Sequence, residues 1–318
     1  MITSLPPWQE RLVEQLSAQF ANHRLAQTLL FDYEKGAAVE TLSNYLVRLI
    51  LCQSHTAKYT PCGHCHSCHM LESESHSDFY SLAPKGQSIG VDDVRLLQDW
   101  SVQKPTHGHG KVALIEQSHK LTPSAANALL KMLEEPKENT YFILLKPLQS
   151  SLLTTIISRA QRWVIHSPSP TQALDLLQQW YPDIHLERLQ LALHWLDGPT
   201  ECAEFFNNNG EDELSKFTQA VEGLNQHDID PIAQQLEKSP DKLSWLGQII
   251  IDSLQNHFHK RDHICPLLTQ LTQNQLIDAW QMFVQLREKL AQHPALNFSL
   301  QVYPLLSYLN QPESNRAD

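Results

Sequence analysis

Residues 111–136, KVALIEQSHKLTPSAANALLKMLEEP, constrain the fold of this 318-residue chain more than any other stretch. Lys111 to Ile115 form a short run, apolar after its first residue, of the kind that becomes a buried strand. A loop follows, and Thr122-Pro123 opens a helix with a hydroxyl cap and a proline at the first helical position, where the missing N–H costs nothing. Ala126, Leu129, Leu130 and Leu133 then fall at i, i+3, i+4 and i+7, a single apolar stripe to lay against a sheet, and Glu134-Glu135-Pro136 stops the helix. A buried strand followed by a helix that packs back on the sheet is the repeating unit of an α/β fold.

The same alternation runs through the first half of the chain. Short strands are expected at Thr28–Phe31, Phe79–Leu82, Val112–Ile115, Tyr141–Leu145 and Trp163–Ile165, in a mainly parallel sheet. After residue 170 the spacing turns helical, as in Leu174, Leu177 and Trp180, or Leu243, Leu246, Ile249, Ile250 and Leu254. Ser167-Pro168-Ser169-Pro170 and Asn207-Asn208-Asn209-Gly210 mark junctions. The expected organisation is an α/β core over 1–166, a small helical domain over 167–208 and a second helical domain over 209–318.

The net charge of -11 is unevenly placed: residues 1–166 carry 15 basic and 15 acidic side chains, residues 167–318 carry 9 and 20. An acidic second half disfavours a surface that tracks phosphates, so protein partners fit better than autonomous DNA binding. No run of eighteen apolar residues exists, and MITSLPPWQE lacks a basic flank before an apolar stretch. Neither a membrane span nor a secretory signal is expected, and a cytoplasmic location follows.

Two loops fall where nucleotide-hydrolysing motors of this layout keep their chemistry. A phosphate loop after the first strand is Gly-rich and ends in Gly-Lys-Ser/Thr, because bare N–H groups cradle phosphate and the lysine reaches its charge. Residues Asp32 to Thr41 keep one glycine, Gly36, with Val39 in the lysine's place and Glu40 in the hydroxyl's. Lys35 remains as a cation near the helix start. After the third strand an acidic pair normally holds Mg²⁺ and polarises the attacking water. Here Glu116 and Gln117 stand there, and glutamine orients water without acting as a base. No bound ATP is expected.

Cys52, Cys62, Cys65 and Cys68 sit within seventeen residues, three of them as Cys-x2-Cys-x2-Cys around Gly63. The spacing suits a tetrahedral thiolate site for a structural zinc ion; unliganded thiols and an iron-sulfur cluster are the other readings. His64, His66 and His69 compete as ligands, and four cysteines are preferred because such a site is closed. Cys202 and Cys265 stand alone and read as small buried apolar residues.

Ser151 to Arg159 reads as a short helix with Leu152, Leu153, Ile156 and Ile157 on its apolar side. Taken alone, Arg159 is a cation favoured at a helix carboxy end, and Arg162 is a solvated surface residue. Several motifs then fall in a telling order: the cysteine insertion after the phosphate-loop helix, Gly90-Val91-Asp92-Asp93-Val94-Arg95, the run Ser124 to Lys131 leading to Leu133-Glu134-Glu135-Pro136, and Ser158-Arg159, with Pro7-Trp8 near the start. In these the chain resembles the bacterial DNA polymerase III clamp-loader family, and within it the delta-prime class, whose phosphate loop is degenerate. Close matches cover residues 28–165, and weaker helical similarity runs to the end.

The resemblance implies an AAA+ core with a zinc module, a helical lid domain and a helical collar domain. It implies assembly with delta and gamma/tau subunits into a loader that opens a ring-shaped sliding clamp and closes it on primed DNA, using ATP held by gamma/tau. It implies that Arg159 acts in trans as an arginine finger on a neighbour's ATP, with Ser158 in support, and that the chain is a non-hydrolysing part of a DNA-directed DNA polymerase holoenzyme. The family's Ser-Arg-Cys ends here in Ala160. Two rival readings are an active ATPase of gamma/tau type, opposed by Val39, Glu40 and Gln117, and a zinc module that binds nucleic acid, opposed by the charge distribution.

Overall fold

The computed structural model describes residues 5–56, 59–107, 110–259, 267–293 and 296–310, and the chain divides into two compact units, 1–169 and 170–318. In the first, the elements in order are α1 (Glu10–Ala21), β1 (Thr28–Tyr33), α2 (Val39–Leu51), α3 (His66–Glu72), β2 (Phe79–Leu82), α4 (Val91–Ser101), β3 (Lys111–Ile115), α5 (Pro123–Glu134), β4 (Thr140–Pro147), α6 (Thr154–Ile157) and β5 (Gln161–Ile165). The five strands form one sheet in the order β2-β3-β4-β1-β5, and every pairing is parallel. All five residues of β3 are buried, as a strand covered on both faces requires.

Alternate strand residues feed two apolar layers. Leu29, Phe31, Val112, Leu114, Ile143 and Leu145 pack with Leu42, Leu46, Leu49 and Ile50 of α2. Leu30, Ala113, Ile115, Phe142 and Leu144 face the other way, onto Val94 and Leu97 of α4 and Ala126, Leu129 and Leu133 of α5. The result is a three-layer α/β/α unit whose strands all end at one edge, the edge at which open parallel sheets bind ligands. Thr122 caps α5 as expected, its hydroxyl accepting from the Ala125 N–H at 3.3 Å.

One expected element is shorter than the sequence reading. Only Thr154–Ile157 of the Ser151–Arg159 stretch is helical, because Leu153 is extended (φ -56, ψ 129). Upstream, the Lys146 ammonium binds the carbonyls of Pro147 and Ser150 at 3.1 and 2.7 Å, and the Ser150 N–H closes on Pro147. That turn ends at Ser150, and the extended Leu153 sets the helix start at Thr154.

Every regular element among the second unit's described residues is helical, with these α-helices: α7 (Pro170–Trp180), α8 (Leu186–Trp195), α9 (Pro199–Asn207), α10 (Gly210–Leu224), α11 (Asp230–Lys238), α12 (Leu243–His259), α13 (Gln273–Gln292) and α14 (Phe298–Leu309). Two apolar cores hold it. Leu177, Leu189, Ala192, Cys202 and Phe206 make the smaller, in which Cys202 is fully buried. Phe217, Leu246, Ile249, Phe283 and Leu306 belong to the larger, where Trp195 stacks on Trp245 at 5.1 Å. Cys265 lies outside the described residues. At the Asn-rich junction Asn209 is left-handed (φ 61), and a Cβ on Gly210 would stand 2.3 Å from the Phe205 ring, so only glycine fits there.

A half-exposed His194 on α8 meets the buried Asp252 on α12, Nε2 to Oδ2 at 2.7 Å. The hydrogen bond to Asp252 outweighs burial and raises the histidine above its ordinary 6.5. The folded chain therefore holds this proton more tightly than the unfolded chain. The contribution is full below pH 6.5 and is lost as pH rises through the raised value. Urea unfolding from pH 5.5 to 8.5 should show a fall in stability across that window of less than about 1 kcal/mol, given solvent screening, and His194→Gln should flatten it.

Candidate metal centre and nucleotide-site loops

The carboxy end of α2 delivers Cys52 in extended conformation (φ -64, ψ 132), and the amino end of α3 delivers Cys65 and Cys68. Between them Gly63 turns the chain at φ 77, a left-handed value that favours glycine. The four sulfurs of Cys52, Cys62, Cys65 and Cys68 all lie within 4.8 Å of one another, and Cys52 Sγ stands 3.6 Å from Cys62 Sγ and 4.0 Å from Cys65 Sγ. Sulfurs at tetrahedral corners about 2.3 Å from zinc are about 3.8 Å apart, so the thiols fit such an ion closely. A disulfide needs about 2.05 Å, and all four are free thiols.

Backbone amides support the set. The Cys62 N–H donates to Cys52 Sγ and the Cys65 N–H to Cys62 Sγ, each at 3.3 Å. Burial works against ionising Cys65, yet amides from Gln53 and Cys68 and the neighbouring thiols of Cys68 and Cys62 bring it down to about 6. Burial and the hydrogen bond to Cys65 push Cys68 up to about 12. The neighbouring histidines are engaged elsewhere: His64 with the Cys62 carbonyl at 2.9 Å, and His69 with Glu72 at 3.8 Å. The cluster is also seated on the sheet unit. Asp78 N–H donates to His76 Nδ1, leaving Nε2 to donate to the Ser67 hydroxyl, which in turn donates to the Leu51 carbonyl.

The loop from β1 to α2 is held by its own chain. Gln9 Nε2 donates to the carbonyls of Ala37 and Ala38 at 2.6 and 2.9 Å, and the Trp8 indole adds a long contact to Ala37. Ala37 N–H is used on Glu34 within the loop. Glu34 accepts from His166 Nδ1 and from the Ser167 N–H, both at 3.0 Å, and the His166 contact holds its carboxyl below the usual range. Val39 is buried in the apolar layer under α2, and Glu40 is exposed in that helix's first turn. Lys35 is exposed.

After β3, Glu116 accepts from the Ser81 hydroxyl at 2.5 Å, and Gln117 adopts a left-handed turn (φ 51). Ser118 is buried and donates to the Leu145 carbonyl, which ties the loop to β4.

Sequence reasoning missed a charge cluster under these loops. Asp32 of β1 is 1% exposed; Lys146 of β4 lies 3.1 Å from its Oδ1, and Arg162 Nε of β5 bonds its Oδ2. The lysine contact is ionic without hydrogen-bond geometry, since Lys146 aims its N–H groups at the carbonyls of Pro147 and Ser150. Arg162 is thus an ion-pair partner of a buried carboxylate, a correction to its reading as merely solvated. The signal was Asp32 inside an otherwise apolar strand. Asp32→Asn leaves the Lys146 ammonium buried without a countercharge, so urea unfolding should show a loss of about 3 kcal/mol.

Arg159 follows α6. Its Nη1 donates to the Thr155 carbonyl at 2.8 Å, which satisfies a free helix-end carbonyl, and its Nη2 meets Glu134 Oε1 at 2.8 Å. The arginine and glutamate side chains are 37% and 48% exposed, so the guanidinium is held and still open to solvent. Ser158 also donates to Thr155, at 3.1 Å. The structure brings the cysteines together as one group and places Ser158 and Arg159 side by side on a separate turn.

The chain is similar to known proteins in a consistent way. A family model described as DNA polymerase III, delta subunit, matches residues 8–169, half of the chain. The DNA polymerase III subunit delta' of Haemophilus influenzae is 39% identical over 178 residues, 56% of this chain and 54% of that one. That of Yersinia pestis is 33% identical over 303 residues, 90% of this chain and 87% of that one. Among solved structures, a DNA polymerase III gamma subunit-related protein of Thermotoga maritima matches 95% of this chain and 98% of its own at 17% identity and a TM-score of 0.47. A third of the residues shared with a delta' subunit along nearly the whole length, over a parallel α/β core with a four-cysteine insertion and a helical region behind it, leaves one conclusion: the chain belongs to the DNA polymerase III delta' family of clamp-loader subunits.

Proposed function

We propose that the chain occupies the non-hydrolysing delta' position of a bacterial clamp loader, assembled with delta and gamma/tau subunits in the cytoplasm to place a sliding clamp on primed DNA. The observation that carries the reading is Val39, packed into the core at the point where a phosphate-binding lysine would have to reach outward. Glu40 beside it adds a negative charge at a helix start that would otherwise attract phosphate. With Gln117 in place of a catalytic acid, this subunit's own site has lost both phosphate recognition and water activation.

Arg159 is then the chain's contribution to chemistry, offered to ATP on a gamma/tau neighbour, with Ser158 bracing the turn. The four cysteines hold a structural zinc ion, which when bound ties α2 to α3. Residues 167–208 act as the lid and 209–318 as the collar through which the subunits assemble; the small core around Cys202, drawn from residues within 167–208, supports that division, while Leu191 and Trp195 of the same stretch join the larger core. The helix-only second half, with its acidic excess, suits packing against protein rather than against DNA.

Equilibrium binding of Mg-ATP to the isolated chain tests the reading. No saturable binding is expected at millimolar nucleotide, with normal co-assembly when gamma/tau and delta are added. Micromolar binding of Mg-ATP by the lone chain would restore the active-ATPase reading.

A further inference from the structure

A second residue belongs to the Arg159 site. Arginine is long and rotamer-rich, and one that must meet a phosphoryl group on another subunit loses much of its effect if it wanders. In this chain a carbonyl and a carboxylate restrain it, with a longer contact of 3.4 Å from Nη1 to the Ser158 hydroxyl. The Thr155 carbonyl takes Nη1 from within the same turn, and Glu134 Oε1 takes Nη2 from the last residue of α5, both at 2.8 Å. The turn itself is anchored, since Ile156 is fully buried against α5. Glu134 is exposed and does not contribute to the apolar stripe that holds α5 to the sheet; that work is done by Ala126, Leu129 and Leu133. Its observed partner is the guanidinium.

We propose that Glu134 is a positioning residue for Arg159, fixing the guanidinium plane from α5 so that its remaining N–H groups point outward together. The proposal rests on the trans-acting reading of Arg159 given above. Arginine carries five N–H donors in a rigid fork, so those on Thr155, Ser158 and Glu134 can be held while others stay available to an anion. An exposed ion pair contributes little to stability, which suits a brace that has to orient a side chain without burying it.

Steady-state ATPase of the reconstituted loader, stimulated by clamp and primed DNA, tests this with Arg159→Ala, Glu134→Gln, the double variant and Glu135→Gln, which removes the same charge one residue away. Glu134→Gln is expected to lower kcat by about two- to fivefold, the range set by an exposed pair, with the KM for ATP unchanged. In the Arg159→Ala background it should have no further effect, because its action passes through the arginine. Subunit assembly, followed by gel filtration, should be normal for every variant. An unchanged kcat in Glu134→Gln, an equal fall in both backgrounds, or an equal fall in Glu135→Gln overturns the positioning role while leaving Arg159's own role standing. No effect of Arg159→Ala overturns the trans-acting reading itself, and the positioning role with it.

Discussion

Replacing Arg159 by alanine is expected to leave the loader assembled and to slow ATP hydrolysis at the neighbouring gamma/tau site by about 10³-fold, the scale of an arginine finger in other NTPases. Phosphoryl transfer spreads charge over the equatorial oxygens in the transition state, and a guanidinium placed there without solvent reorganisation stabilises that charge more than the ground state. The loss should therefore appear in kcat at nearly constant KM. Arg159→Lys should recover only part of it, because an ammonium lacks the planar fork. The folding cost is small, since the side chain is more than a third exposed and its partners are a surface carboxylate and a helix-end carbonyl. Clamp-loading and ATPase rates indistinguishable from wild type would remove Arg159 from the reaction.

Loss of one cysteine of the cluster should be as severe for folding as loss of Arg159 is for catalysis. Cys68→Ser is expected to reduce bound zinc from about one ion per chain to a small fraction of that, since three thiolates leave an open corner that water fills poorly at a buried position. Metal binding at a structural zinc site is worth on the order of 10 kcal/mol and is folding free energy for the segment that forms the site. The segment from Cys52 to Cys68 has little apolar content of its own to replace it. Metal analysis should show the loss, and limited proteolysis should show new cleavage between residues 52 and 68. Wild-type protein stripped with chelator should behave in the same way. A metal-free chain that resists proteolysis as well as the native one would make the cluster a set of idle thiols.

Much of the architecture was legible because it rests on local pattern. Strands such as Phe79–Leu82 and Lys111–Ile115 are apolar runs, and the α5 stripe of Ala126, Leu129 and Leu133 repeats at helical spacing. The cysteine group was legible for a different reason: ligand spacing along the chain is itself the geometry of a Cys-x2-Cys turn. What stayed hidden depends on register between distant strands. Asp32, Lys146 and Arg162 meet because β4, β1 and β5 are neighbours, a fact that no stretch of the chain records. Lys111 was hidden likewise. It reads as the polar edge of a strand, yet it is buried with its ammonium 4.1 Å from the centre of the Trp100 ring and hydrogen-bonded to the Trp100 and Gln103 carbonyls. Glu134 was visible as a helix stop, and its partner Arg159, on the turn after α6, was not.

The bonds from Gln9 to the loop before α2, and from the Ser167 N–H to Glu34, set how that loop would answer a change of sequence. Groups attached to the same chain meet the loop at an effective concentration set by their tether, in the millimolar range or above, and they are never diluted. A lysine at position 39 and a hydroxyl at position 40 would meet a backbone whose conformation is already held by Gln9 on the Ala37 and Ala38 carbonyls and by the Ala37 N–H on the Glu34 carbonyl. Those two substitutions alone are therefore expected to leave the loop's shape as it is, because its attachments are part of how the first unit folds.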